Sequence, residues 1–238
     1  SVTCFKGDED APKDQESAEV WRSLGIPESR IAFLTKEDNW WGPAGTTGPC
    51  GPDSEMFYWT GKGAPPKNYD PEDDTWVEIW NDVFMEYYKN DEGKYVPLAQ
   101  KNVDTGLGLE RVTAILQGKD EIYQTELFLP IIEKLEKLTK KNYDDNTKQL
   151  RIIADHVRAS VFILGDERGV TPSNVDQGYI LRRFIRRAIR NLRALEMPIE
   201  KIDLVPLAKT VVEMYQGDYP LILEKKEFIF EQLKIEQD

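Results

Sequence analysis

Asp104–Thr105–Gly106–Leu107–Gly108–Leu109–Glu110–Arg111 is the stretch on which the reading of this chain turns. It stands where a region of strand-like aromatic runs gives way to a region of helical period. Two glycines just before a helix let the flat face of a ligand approach the backbone, and an arginine one turn into that helix can meet a phosphate. The carboxylate ahead of them can hold an ammonium group. From the glycine pair alone, a strand-to-helix turn with an exposed helical salt bridge is the simpler reading.

On the amino side of this stretch the chain is rich in Trp, Tyr, Gly and Pro. Residues 77–88 alternate imperfectly and read as a strand, followed by a turn at 89–93 and a second strand through Tyr95 and Val96, an antiparallel hairpin. Ser1 to Phe5 and Ser54 to Trp59 read as further strands, Asp14 to Leu24 as a surface helix, and Gly61 to Asp74 as a loop. Beyond Gly108 the spacing predicts helices near 107–117, 123–141, 147–164, 173–195, 200–216 and 219–238. The polar run 140–146 suits a junction, so the expected fold is α+β, with antiparallel strands in residues 1–142 and an all-helical domain in 143–238.

A formal charge of −12 argues against nucleic-acid binding only if charge is spread evenly. It is not. At about 100° per residue, Arg182, Arg183, Arg186, Arg187, Arg190 and Arg193 fall within an arc of roughly 140°. Ile180, Leu181, Phe184, Ile185, Ala188, Ile189, Leu192 and Leu195 take the other side, and no acid stands among these arginines to neutralise them. Charge runs are most often solvated surface, and RNA backbone is the functional alternative. Cys4 and Cys50 have no paired metal spacing, no run reaches the roughly 18 apolar residues of a membrane span, and no secretory leader is visible. The expected compartment is the cytoplasm. The chain opens inside a strand pattern and closes inside a helical one, so both ends read as cut.

The octet 104–111 closely resembles the third signature motif of class II aminoacyl-tRNA synthetases, and its Asp-Thr-Gly opening resembles the alanyl family in particular. Further matches follow in order: Asp38–Asn39–Trp40–Trp41, Thr47–Gly48–Pro49–Cys50–Gly51–Pro52 with Ser54–Glu55, Glu78–Ile79–Trp80–Asn81 with Val83–Phe84–Met85, Arg151–Ile152–Ile153–Ala154–Asp155–His156–Val157–Arg158, and Pro172–Ser173–Asn174 with Gly178–Tyr179. Together they cover nearly the whole chain.

The resemblance implies the carboxy-terminal part of a class II antiparallel-sheet core followed by a helical tRNA-recognition domain. It also implies that Asp104 pairs with the α-amino group of alanine and Asn81 hydrogen-bonds the amino acid, while Trp41 and Val83 close a pocket around a methyl group. Ile79, Trp80, Gly106 and Gly108, with Trp41 and Asn81, would line the ATP site, and Arg111 would contact the γ-phosphate. Mg²⁺ would accompany the ATP. Asn174 matches a residue that reads the G3·U70 wobble pair of the tRNA(Ala) acceptor stem, with the arginine face beside it.

Zinc is not expected here, because the family's editing site needs several His and Cys ligands and His156 is the chain's one histidine. A structural role is expected for it. The family's first two motifs and its editing region are expected on the rest of the synthetase, so the isolated chain is expected to form no adenylate. The rival expectation is a non-catalytic RNA-binding or assembly subunit of a split synthetase. Three positions depart from the family pattern: Asp53 and Trp59, expected to adjust a loop, and Gln177, expected to weaken one tRNA contact.

Overall fold

The computed structural model describes residues 1–237, and these fall into two compact units that meet between Asp120 and Glu121 in the chain. The first is built on a sheet of six strands: β1 (Val2–Phe5), β2 (Ile31–Leu34), β3 (Trp40–Trp41), β4 (Gly48–Trp59), β5 (Trp76–Lys89) and β6 (Tyr95–Leu107). The order is β2-β1-β4-β5-β6, with β3 also pairing β4. The sheet is mixed rather than purely antiparallel, because β1 and β2 run parallel. Parallel neighbours need a crossover, and α1 (Gln15–Ser23) supplies it. Asp14 caps that helix by accepting from the Ser17 N–H at 2.9 Å, and Trp21 donates to the Ser54 hydroxyl at 2.7 Å. A small core of Val2, Cys4, Ala18 and Ile31 lies between helix and sheet.

β6 is far longer than the two residues that read as strand. Its middle, Leu98 to Val103, is polar and mostly exposed at the sheet's end, so it lacks the apolar alternation by which strands are recognised. The ladder with β5 nevertheless carries it to Leu107, and α2 (Leu109–Leu116) starts two residues later.

Among its described residues the second unit contains only helices and short 3₁₀ turns: α3 (Leu129–Thr139), α4 (Thr147–Gly165), α5 (Asp176–Ala194), α6 (Val205–Tyr215), α7 (Pro220–Glu224) and α8 (Lys226–Gln237). α4 buries Leu150, Ile153, Ala154, Val157, Val161 and Leu164, a helical stripe that meets Leu181, Ile185, Ala188 and Leu192 of α5. The expected helices at 123–141 and 200–216 begin later, at Leu129 and Val205, each with a proline in the first turn. Proline has no N–H to give and presets φ, so it opens a helix rather than continuing one. The expected helix at 219–238, whose last position lies outside the described residues, is two helices joined at Lys225. The polar run 140–146 lies within this unit as the link from α3 to α4, where Tyr143 N–H donates to Glu136 at 2.7 Å and its hydroxyl to Glu121 at 2.7 Å.

β4 carries register shifts between Cys50 and Asp53 and between Met56 and Phe57. At the first of these, a Cβ on Gly51 would overlap the carbonyl oxygen of Phe84 on β5. Backbone cannot swing aside as a side chain can. Gly51→Ala is therefore expected to destabilise the sheet unit by about 3 kcal/mol, the upper end of overpacking costs, read as a lower denaturation midpoint in urea.

Candidate functional site

Side chains alternate across a strand, so the ladder decides which residues share a face. Asp53 of β4, Val83 of β5 and Asp104 of β6 are consecutive cross-strand partners, and Glu55, Asn81 and Gly106 form the next such row, with Thr3 of β1 beyond Glu55. These two rows bring together four residues that the sequence assigned to one site: Asn81, Val83, Asp104 and Gly106. Val83 is buried between its acidic partners, whereas Asp104 is exposed. β3 sets Trp41 opposite Gly51, two residues along β4 from Asp53, and Trp41 stays 39% exposed, open to a ligand.

Trp80 falls on the other face. It is partnered by Leu107, and its indole N–H reaches Thr105, whose hydroxyl lies 2.9 Å from a carboxylate oxygen of Asp82. That face holds a cavity of about 690 Å³ lined by Trp21, Asp82, Phe84, Glu86, Lys101 and Val103, none of them an expected ligand residue.

Gly108 follows the ladder's last pair and donates its N–H to Ile79 at 3.0 Å. A Cβ there would stand 2.6 Å from Arg111 Nε, so it is the bare glycine that lets the arginine fold back over the strand end. Arg111 Nη1 then donates to Glu78 at 2.7 Å, with the guanidinium side chain 41% exposed and still accessible.

Besides Asp104, this face carries Asp53 and Glu55, to which the sequence gives no ligand role. Asp53 is not a loop adjustment: it lies buried within β4, where Asn39 Nδ2 donates to it at 3.0 Å and to Thr3 Oγ1 at 2.8 Å. Burial raises its pKa to about 6, against the smaller opposing effect of the Asn39 hydrogen bond, with Glu78 and Asp38 adding repulsion. Burial likewise raises Glu55 to about 7, helped by Asp53 and Glu78 and opposed by Arg111. A buried acid whose partner is an amide and not a cation has no sequence signature. Only the fold assembles the repulsion. Trp59 is no loop residue either; it ends β4 and packs on Trp76 at 5.1 Å between ring centroids.

In the helical unit, Arg183, Arg186, Arg187, Arg190 and Arg193 of α5 are exposed, and among the described residues the last four form no ion pair. Arg182 differs, because Glu236 of α8 binds it through both carboxylate oxygens at 2.7–3.1 Å. Arg182 also donates to the Asn174 side-chain oxygen. Asn174 and Gln177 are exposed, as is Ile180, which the helical wheel had placed on the buried side. The loop before α5 lies tight on the helix: Ser173 N–H donates to Gly178 O at 3.1 Å, and a Cβ on Gly178 would collide with Ser173. His156 is buried, bonded to Asp155 at 2.9 Å and packed on Phe184 at 4.9 Å, a packing role. Arg151 and Arg158 of the same stretch serve this unit as well, Arg151 pairing with Glu121 and Arg158 lying 4.2 Å over the Phe128 ring.

The first unit thus sets an antiparallel ladder against a helix that opens at Gly108, with an acid row on one face and the Arg111 guanidinium at its end. The chain belongs to the tRNA synthetases class II (A), a family that matches residues 1–238. It is similar to the alanine–tRNA ligase of Treponema denticola, with 51% identity over 96% of this chain and 39% of the relative. It is 48% identical to that of Borrelia hermsii over 100% of this chain and 40% of the relative, and 46% identical to that of Fervidobacterium nodosum over 94% and 26%. The chain thus spans about two-fifths or less of these relatives. No described helix is long and apolar enough to cross a membrane.

A carboxyl whose folded pKa is raised above its unfolded value keeps its full stability at low pH and loses it as pH climbs through the folded value. For Asp53 and Glu55 that window runs from their ordinary values of 3.8 and 4.5 to about 6 and about 7. Asp53→Asn is expected to remove on the order of 2 kcal/mol of that decline. Urea unfolding at acid, neutral and mildly alkaline pH measures it, and a profile unchanged by the substitution would mean that Asp53 titrates in the folded protein as it does in the unfolded chain.

Proposed function

We propose that this chain is the part of an alanine–tRNA ligase that binds alanine and ATP on its sheet and the tRNA acceptor stem on its helices. The observation that carries the proposal is the β5–β6 register, Val83 opposite Asp104 and Asn81 opposite Gly106. It gathers a carboxylate, an amide, an apolar wall and a bare backbone within two adjacent rows. Asp104 takes the ammonium of alanine and Asn81 a polar group of the same ligand. Val83 and Trp41 leave room for a methyl group.

ATP lies along Ile79, Trp80, Gly106 and Gly108, with the exposed Arg111 guanidinium meeting the γ-phosphate and Mg²⁺ entering with the nucleotide. Because the Trp80 side chain lies on the opposite face from Asn81, its part in this site is through the backbone. The alanine carboxylate oxygen attacks the α-phosphorus and pyrophosphate leaves. A terminal ribose hydroxyl of the tRNA then attacks the activated carbonyl and AMP leaves. Charge that develops on phosphate oxygens calls for fixed cations, and the remaining length of the ligase is where further ones are expected.

Asn174 reads the G3·U70 pair from the minor groove, while Arg183, Arg186, Arg187, Arg190 and Arg193 meet phosphates and set the register of the stem.

In the full chain as its gene encodes it, Asp104→Asn should raise the KM for alanine by an amount worth about 1.5–3 kcal/mol while moving that for ATP much less. Alanine-dependent ATP–pyrophosphate exchange measures both, and equal losses would make Asp104 a fold residue. Arg186→Ala with Arg190→Ala should weaken G3·U70 and G3·C70 stems alike and flatten the dependence of log K on log salt by roughly 0.7–0.9 for each phosphate no longer neutralised. Unaltered binding would return this face to plain solvated surface.

A further inference from the structure

Arg182 is set apart from the other arginines of α5 by its partners. Its Nε and Nη2 both bond to Glu236, whose side chain is only 8% exposed, and its Nη1 donates to Asn174 Oδ1. The guanidinium is therefore engaged inside the protein: one edge, Nε with Nη2, satisfies a nearly buried carboxylate, and the remaining nitrogen holds an exposed amide. We propose that Glu236 and Arg182 are positioning residues for Asn174, fixing its amide with the carbonyl turned to α5 and the NH₂ presented outward as a donor.

The geometry has three fixed points. α8 brings Glu236 onto α5, and its neighbour Gln237 is anchored independently by accepting from Leu204 N–H at 2.6 Å. The Asn174 backbone sits in a loop locked to α5 through Ser173, which also accepts from Val175 N–H at 3.3 Å and donates to Val175 O at 2.8 Å. With backbone and carbonyl both held, Asn174 keeps one free polar group. An NH₂ can only donate, and the acceptors it meets in an RNA minor groove are a pyrimidine O2, a purine N3 or a ribose 2′-hydroxyl oxygen, of which the base atoms carry sequence. In a wobble pair the pyrimidine is displaced from its Watson–Crick position, so a donor held in one place discriminates where a freely rotating amide would adapt.

This inference rests on Asn174 being the reader of the pair, and it removes Arg182 from the phosphate-binding set. The test titrates G3·U70 and G3·C70 acceptor-stem duplexes against the full encoded chain by fluorescence anisotropy at several salt concentrations. It uses Glu236→Gln, Arg182→Gln and Asn174→Ala, with each brace variant also combined with Asn174→Ala. Both brace variants are expected to lower the G3·U70 preference about 3- to 10-fold, the worth of one ordered hydrogen bond, with the wild-type salt slope. On the Asn174→Ala background neither should lower it further. General damage to the fold would weaken both duplexes together and leave the preference intact, which counts against the brace. Loss of preference in Asn174→Ala but not in the brace variants overturns the inference alone. A flattened salt slope in Arg182→Gln with preference retained makes Arg182 a phosphate contact and also overturns it. Full preference in Asn174→Ala removes the reader itself, and the brace with it.

Discussion

Hydrogen bonding of β5 to β4 on one side and β6 on the other is the constraint from which the candidate substrate face follows. Val83 is held between Asp53 and Asp104, and Asn81 between Glu55 and Gly106, by backbone pairing alone. Slipping β6 by one residue would turn Asp104 and Gly106 to the opposite side and bring Thr105 and Val103 to this one. The close approach at Gly51 and the two irregularities of β4 pin the register, since each admits only one alignment. β6 itself has little apolar surface to hold it in place, so its position is inherited from β5 and from the turn at 90–94, where Asn90 caps the amides of Glu92 and Lys94.

The same ladder concentrates negative charge. Asp53, Glu55 and Glu78 come close enough to repel, and burial removes the water that would screen them. Arg111 is the cation tied to this group, through Glu78. A face with more carboxylate than cation favours an ammonium ligand. Binding such a ligand would draw the raised acids back toward ionisation, so their protonation and the ligand's occupancy are linked. Bare backbone at Gly106 and Gly108 then gives a flat or phosphate-bearing group access beside it.

Opposite physics governs α5. Its apolar stripe is consumed by α4, whose own stripe it completes, leaving guanidinium groups as the outward face. A net charge of −12 for the chain coexists with that local surplus because acids are distributed elsewhere. Arg182 shows why spacing alone misjudges such a run: its acid comes not from i±4 but from a helix 54 residues away.

The sequence by itself determined what rests on local chemistry and short-range period. The aromatic hairpin, the helical stripes and the glycine-flanked octet could all be placed along the chain, because alternation and helical spacing are written in neighbouring residues. So could family membership, because the motif residues stand in order. Only the tertiary structure decided the extent of β6, whose polar residues carry no strand period, and the parallel pairing of β1 and β2, which depends on where α1 returns the chain. It also decided the burial of Asp53, the face on which Trp80 lies and the capture of Arg182 by Glu236. Each of these depends on atoms brought together from distant positions, and electrostatic and packing energies are set by separation in space, which residue spacing along a chain does not encode.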